Sequence, residues 1–261
     1  MILKARMAFV IVLLVFPVLV KAQEDSFLIT LVPPDPASST TKLQYDAAYG
    51  RETFEPLGGD NVEQVLGIRS RLSKSTFLAG RVGLASKDAS TLFSQHVEFL
   101  VEAMDAEKSV MNVWIGPGFR HEYGGTNVLL GRIIAGRRFA GSELYGSLLL
   151  EKPLSPDRDG IDLVLTAGWS CFVSPTFRLG IEGMGQDLEG FWNKEEAEGG
   201  ATLFVGPTMV ATIPATSWTA TLGAGPIIRA TQSGRLSSAM RDLPLSRGNG
   251  FVVHAALGLG L

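Results

Sequence analysis

The stretch Ile161-Asp-Leu-Val-Leu-Thr-Ala-Gly-Trp-Ser-Cys171 (IDLVLTAGWSC) alternates between two kinds of side chain. Its odd positions carry Ile, Leu, Leu, Ala, Trp and Cys, and its even positions carry Asp, Val, Thr, Gly and Ser. Because successive side chains of a strand point to opposite faces, this period of two predicts a β-strand with one continuous apolar face. Such a face has to be covered by protein or by lipid.

The same alternation recurs from Lys42 to the end of the chain, for example in Phe177–Ile181 and Trp218–Leu222. Most of the alternating segments are near the roughly 9–11 residues that a tilted strand needs to cross a bilayer. Twelve strands are predicted, at about 42–50, 61–72, 76–85, 91–103, 109–120, 128–139, 143–151, 161–172, 176–185, 200–212, 217–229 and 250–261.

The connections between these segments alternate between long and short. Short turns such as 73–75 and 140–142 contrast with long polar loops at 186–199 and 230–249. In an up-and-down meander every second connection lies at the same end, so one end has tight turns and the other has long loops. We therefore expect an all-β fold over residues 42–261: a single up-and-down antiparallel transmembrane barrel of about twelve strands, within a range of ten to fourteen.

The N-terminus has the pattern of a secretory signal. Lys4 and Arg6 precede an apolar stretch of 14 residues, 7–20, and the small Ala22 precedes Gln23. This predicts a signal peptide at 1–22, cleaved during export, and an exported leader at 23–41. The apolar stretch is short for a permanent helix anchor, which needs about 20 residues. An uncleaved anchor or a buried helix is the alternative.

Composition excludes several classes of site. The single cysteine, Cys171, allows no intramolecular disulfide, and three scattered histidines form no zinc pattern. A net charge of −3 lacks the excess of basic residues that is typical of nucleic-acid-binding proteins. We expect no cofactor and no metal, and we interpret the acidic run 195–198 as a solvated loop. The 30 glycines and mean hydropathy of +0.21 are typical of a protein with much small and apolar surface.

These features together resemble a bacterial outer-membrane β-barrel protein of the porin-like, small-barrel kind. A Gly-Pro pair recurs in Ile115–Gly118, Val205–Pro207 and Ala224–Pro226, and because proline lacks a ladder donor we expect a bulge at each. The last residue of that family is usually aromatic, and Leu261 departs from this pattern. The resemblance implies an outer-membrane location, with membrane lipid, lipopolysaccharide and the barrel-assembly machinery as partners.

The two faces of the strands then have different roles. Aromatic side chains of the lipid-facing parity are expected at the membrane interfaces, namely Phe139, Trp169, Phe177, Trp218 and Phe251. The opposite parity predicts the lumen lining: Arg69, Arg81, His96, Glu98, Glu102, Arg132, Arg138, Glu143, Asp162, Arg178, Glu182 and Arg229. These charges either line a narrow water path or pair across the lumen and plug it, and we favour a narrow or partly plugged lumen.

A non-enzymatic function follows: a narrow passive channel for small solutes, or a structural and surface-interaction barrel. The alternatives are a lipid-modifying hydrolase of the outer membrane and a secreted soluble β-protein. The candidates for catalysis are Ser94, His96 and Glu98, which share one strand face. Same-face neighbours lie about 6–7 Å apart along a strand, beyond hydrogen-bond reach for most rotamers, so polar lumen filling is the favoured interpretation.

Overall fold

The computed structural model describes residues 27–33, 40–50, 63–87, 90–106, 109–123, 125–154, 161–186, 188–191, 201–229 and 249–261. The predicted signal peptide, 1–22, lies outside these residues. The strands are β1 Thr41–Gly50, β2 Glu63–Ser73, β3 Thr76–Lys87, β4 Ser90–Met104, β5 Asn112–His121, β6 Asn127–Arg138, β7 Ser142–Pro153, β8 Asp162–Ser174, β9 Phe177–Gln186, β10 Thr202–Thr212, β11 Trp218–Arg229 and β12 Gly250–Gly260.

The strands form one closed barrel in which each strand pairs with its neighbours in the chain. The seam joins the first strand to the last: Lys42 of β1 pairs with Gly260 of β12, and Gly50 pairs with Val252, in antiparallel register. Beyond the last paired residue, the Leu261 N–H donates to the Thr41 carbonyl at 2.8 Å. The predicted all-β, up-and-down barrel of twelve strands is confirmed, and the predicted strand ends differ from the observed ones by no more than three residues.

Alternation along each strand separates an inner from an outer face. In β6, Val128, Leu130 and Ile134 are buried inside the barrel, whereas Leu129 and Ile133 are exposed on its outside. The outer face is largely aliphatic around the whole barrel. Because a closed barrel satisfies its backbone hydrogen bonds internally, such a wall is stable in hydrocarbon, and we interpret the barrel as membrane-spanning.

Helix is almost absent from the described residues. A 3-10 turn at Leu188–Phe191 is the helical element there, and among these residues no helix combines the length and apolar character of a membrane span.

The predicted alternation of long and short connections fails at two consecutive connections. β3 and β4 are joined by two residues, 88 and 89, on the expected long-loop end, whereas 105–111 join β4 to β5 on the short-turn end. The first connection is short because β3 extends to Lys87 and β4 begins at Ser90, so both strands are longer than their sequence patterns predict. The second is long because β5 begins at Asn112, three residues later than predicted. The turns at 74–75, 139–141 and 175–176 keep both termini at the short-turn end, as expected.

The predicted bulges at the Gly-Pro pairs are wrong. The β10–β11 ladder stops after Phe204–Ile227 and resumes at Thr208–Gly223 without a change of register, so Pro207 and Pro226 lie opposite this interruption. Glycine beside each proline lets the strands approach closely, since a Cβ at Gly206 would lie 2.2 Å from the Ala224 carbonyl oxygen. The missing donors are thus accommodated without an inserted residue.

The register shifts that do occur lie elsewhere. They fall at Arg71/Ser73, Glu102/Met104 and Phe172/Ser174, each at the short-turn end of its strand. An extra residue there disturbs only the last pairs of the ladder, because bulges are best tolerated where pairing ends.

Candidate functional site in the barrel lumen

A piece of chain from outside the wall occupies the lumen. Residues 27–33 (FLITLVP), here called the inner segment, lie within the barrel, and Phe27 and Val32 are only 3% and 2% exposed. Both pack into an apolar cluster on the inner faces of β3 to β7. The wall side chains of this cluster are Phe77, Ala79, Leu100, Trp114, Ile134 and Tyr145.

Hydrogen bonds show where the inner segment enters. Arg138, the last residue of β6, donates from Nη2 to the Pro33 carbonyl at 3.1 Å, and Arg69 donates to the Val32 carbonyl at 3.4 Å. Both arginines lie toward the short-turn end of the barrel. The segment therefore enters from the end at which β1 begins and reaches inward from Pro33 to the bend at residues 28–30.

The bend is held by one carboxylate. The Leu28 N–H donates to Glu182 Oε1 at 2.5 Å and the Ile29 N–H donates to Oε2 at 2.8 Å. Successive N–H groups that converge on one anion form a nest, a local concentration of positive backbone dipoles. Glu182 is only 1% exposed, so this contact satisfies a carboxylate that is expensive to bury.

Two glycines of the wall make room for the segment. A Cβ on Gly168 would lie 2.5 Å from Phe27 Cδ1, and a Cβ on Gly223 would lie 2.7 Å from Leu28 Cδ1. Real Cβ atoms do not approach other atoms this closely, so any larger residue at either position would force the side chain of Phe27 or Leu28 to shift. The lumen wall and the inner segment are complementary in shape as well as in hydrogen bonding.

A second layer of the lumen is a chain of paired charges beside the bend. Arg132 donates from Nε to Glu98 Oε2 at 2.5 Å, and His96 Nε2 lies 2.7 Å from Glu98 Oε1. Arg81 Nη2 lies 3.1 Å from His96 Nδ1. Since a guanidinium only donates, Nδ1 accepts and the ring proton is on Nε2, toward Glu98. Arg132 also donates to Ser147 Oγ at 3.0 Å.

Two further ion-pair groups lie toward the ends of the lumen. At the long-loop end, Arg120 makes a bidentate pair with Glu151, at 2.8 and 2.6 Å, and also contacts Glu122 at 2.8 Å. At the short-turn end, Arg178 Nη1 donates to Glu143 Oε1 at 2.8 Å and Arg138 Nε donates to Oε2 at 3.3 Å. Paired in this way, buried charges keep hydrogen-bond partners and add little net field.

Little open space remains around the inner segment. One cavity of about 60 Å³ lies between the segment and the polar side chains Arg81, His96 and Glu98. A second, of about 70 Å³, lies next to Leu28 and Ile29 and reaches Arg120. Each has room for a few waters, whereas sites for drug-sized ligands occupy about 300–1,000 Å³. An apolar cluster of wall residues fills the lumen on the long-loop side: Val128, Leu130, Leu149, Val164, Met184, Phe204, Ile227 and Val252.

The residues predicted to line the lumen are placed as follows. His96, Glu98, Arg132, Glu143, Arg178 and Glu182 are buried inside the barrel. The others are partly exposed along the same parity: Arg69, Arg81, Glu102, Arg138, Asp162 and Arg229. The structure brings His96, Glu98 and Arg132 into contact, and it brings Arg138, Glu143 and Arg178 together in another group.

The catalytic candidates do not form a triad in this structure. Contrary to the spacing argument, His96 and Glu98 are within hydrogen-bond distance, because both side chains turn toward each other along β4. Both ring nitrogens of His96 face charged neighbours, Arg81 and Glu98, so neither is directed to the Ser94 hydroxyl. This geometry suits a structural ion-pair chain.

The interface aromatics lie on the outer surface. Phe139, Trp169, Trp218 and Phe251 are between 41% and 54% exposed, and Phe177 is partly exposed. Phe77 and Trp114 instead point inward and meet edge to face at a centroid distance of 5.2 Å.

Sequence reasoning missed Arg120, Glu122 and the inner segment. Arg120 lies on the inner parity of β5, and Glu122 was assigned to a loop although its side chain turns back into the lumen. The signal for the inner segment was the largely apolar run Phe27–Val32 within the leader predicted at 23–41.

Comparison with solved structures shows the same architecture. The chain is similar to the structure described as "KdgM porin in complex with disordered oligogalacturonate", with a TM-score of 0.58 and 10% identity over 84% of this chain and 99% of that one. It is similar to the NanC porin with a TM-score of 0.59 and 6% identity, over 84% of this chain and all of that one. No family profile and no curated protein matches the chain. These likenesses confirm the predicted closed antiparallel β-barrel fold, which the two porins share.

Proposed function

We propose that this protein is a non-enzymatic, narrow passive channel for small solutes in the bacterial outer membrane. Export through a cleaved signal peptide, and partners among outer-membrane lipid, lipopolysaccharide and the barrel-assembly machinery, belong to the same proposal. The observation that carries it is a closed barrel with an aliphatic wall and a lumen lined by charged side chains. The porin-like fold supports the proposal.

Barrel size and lumen content both argue for a narrow path. Twelve strands lie between small filled barrels of about eight strands and open porins of 16–18. The first cavity beside the inner segment has polar side chains in its lining, among them Arg81, His96 and Asp46. With the inner segment in place, the described lumen has room for water-sized species and not for a sugar.

The test is conductance of the folded protein in planar bilayers, with heat-modifiable gel migration to show that the barrel is folded. We expect small, discrete current steps. Arg81 contacts both cavities, so Arg81→Gln should shift ion selectivity toward cations. The control is Arg137→Gln, because Arg137 is an exposed arginine on the outer surface, and selectivity should stay unchanged. Equal selectivity in the two variants would show that current does not pass through the lumen.

The alternative of a lipid-modifying hydrolase makes a different prediction. Purified barrel incubated with phospholipid or lipid A should show no turnover, since His96 is engaged by Arg81 and Glu98. Turnover by the purified protein that disappears in Ser94→Ala would replace the channel proposal with an enzymatic one.

A further inference from the structure

A bent, largely apolar stretch of the chain packs against the inner wall of the barrel. We propose that Glu182, Gly168 and Gly223 form a peptide-binding site in the lumen, and that the chain's own residues 27–33 occupy it as a removable plug. The plug role rests on the proposed channel function, whereas peptide binding can be measured without it.

The first support is the kind of contact that Glu182 makes. Glu98, Glu143 and Glu151 each contact an arginine, but the two oxygens of Glu182 receive main-chain N–H groups of the inner segment. Those donors lie more than 150 positions away in the chain. A carboxylate that is matched to backbone donors recognises a backbone shape, here a bend, and not a particular side chain.

The second support is the apolar surface on both sides of the bend. Phe27 and Val32 pack against the wall cluster of β3 to β7, and Leu31 packs against the same cluster. Ile29 packs against the second apolar cluster, toward the long-loop end. A water-filled channel does not need these clusters, but a peptide site does, because apolar burial supplies most of the binding free energy.

The third support is steric. Gly168 faces the Phe27 ring and Gly223 faces the Leu28 side chain, and at each the space that a Cβ would need is taken by the segment. With the segment removed, each of these positions would leave a notch in the inner wall. Glycine at both is explained by close approach of another piece of chain.

The experiment uses the barrel lacking residues 27–33, with folding checked by heat-modifiable migration. A fluorescent, acetylated and amidated peptide of sequence FLITLVP is titrated against this variant in detergent, and a scrambled peptide of the same composition is the control. We expect saturable binding of the peptide and none of the scrambled one. In bilayers the variant should conduct several-fold more than the full chain, and added peptide should return the current to the full-chain level.

A matched pair of isosteric substitutions tests the assigned carboxylate. In the variant lacking the segment, Glu182→Gln should weaken peptide binding about tenfold, as expected for losing a charge-assisted hydrogen bond. Glu151→Gln, at a carboxylate that is equally buried but contacts Arg120, should keep the unsubstituted affinity. If the deletion variant does not fold, the same pair is made in the full chain, where Glu182→Gln should raise conductance by more than Glu151→Gln does.

The outcomes separate the two proposals. Peptide binding without conductance in any variant would keep the binding site and overturn the channel. Conductance without specific peptide binding would keep the channel and overturn the site. Equal behaviour of Glu182→Gln and Glu151→Gln would also overturn the site.

Discussion

The outer wall and the lumen lining of this barrel are made from the same strands, but their side chains have different surroundings. On the outside, side chains such as Leu129 and Ile133 meet lipid, and each has only to be apolar. On the inside, Val128, Leu130 and Ile134 belong to apolar clusters, while Arg132 between them is ion-paired. The residue types of the outer face are therefore determined by contact with lipid alone. Those of the inner face are determined by side chains from distant parts of the chain.

Removal of one inner charge should have the largest effect on stability. Arg132→Met leaves Glu98 buried without its guanidinium partner, and we expect a loss of about 3–5 kcal/mol in the free energy of unfolding. Urea titration in lipid vesicles measures it. The double variant Glu98→Leu/Arg132→Met should recover most of the loss, because no uncompensated charge remains. A mild Arg132→Met would mean that water reaches Glu98.

The adjacent position tests the outer face. Ile133 lies halfway along β6, so Ile133→Arg places a charge in the hydrocarbon and should cost about 2–4 kcal/mol in the same assay. Leu72 is an exposed residue beside the short turn at the end of β2. Leu72→Arg should cost only about 0–1 kcal/mol, since the cost falls near the interface. Equal costs at the two sites would contradict the assignment of a membrane-embedded wall.

The contact between lumen and inner segment predicts an intermediate effect. Gly168→Ala should cost about 1–3 kcal/mol by overpacking against Phe27. Gly67→Ala is the control, because a Cβ there would lie 3.6 Å from Arg81 Cγ, an ordinary contact. Combining Gly168→Ala with Phe27→Ala should remove most of the cost. Additive costs in the double variant would place Phe27 away from Gly168.

The smallest effect is expected at the exposed short-turn end of the barrel, here called the rim, where side chains neither face the lumen nor lie at the middle of the membrane-facing wall. Arg137 lies over the Phe139 ring at 5.9 Å and donates to the Val110 carbonyl at 2.8 Å, both in exposed positions. Arg137→Ala should change the free energy of unfolding by about 0.5–1 kcal/mol, and raised salt should not enlarge the difference. A larger change would show that the rim helps to hold the barrel together.

The strands of the wall and their outward faces were predictable from the sequence because each outward side chain has only to be compatible with lipid. Period two assigned the strands, their number and the outward position of Trp169 and Trp218. The Gly-Pro bulges were wrong, since proline chemistry predicts a lost donor but not how the neighbouring glycine compensates for it. Parity also placed Glu182 in the lumen without indicating its partner.

What fills the lumen was not predictable from periodicity. The partners of Glu182 come from Leu28 and Ile29, far away in the chain and outside any alternating segment. The sequence pattern of a short apolar run such as 27–32 does not indicate whether the run lies in the lumen or belongs to a leader outside the barrel. Only the closed barrel, with its glycine notches, distinguishes the two positions.

The short connection between the inner segment and β1 has a further consequence. Only residues 34–39 separate Pro33 from Thr40, so the segment is tied to the first strand of the barrel by a short connection. A short connection gives a tethered ligand an effective concentration on the order of millimolar. Even weak intrinsic affinity then gives high occupancy, and a free competitor must exceed that local concentration. If the connection were cut, the segment would no longer rebind at a high local concentration after each dissociation. Its occupancy would then fall on dilution, as for any free ligand.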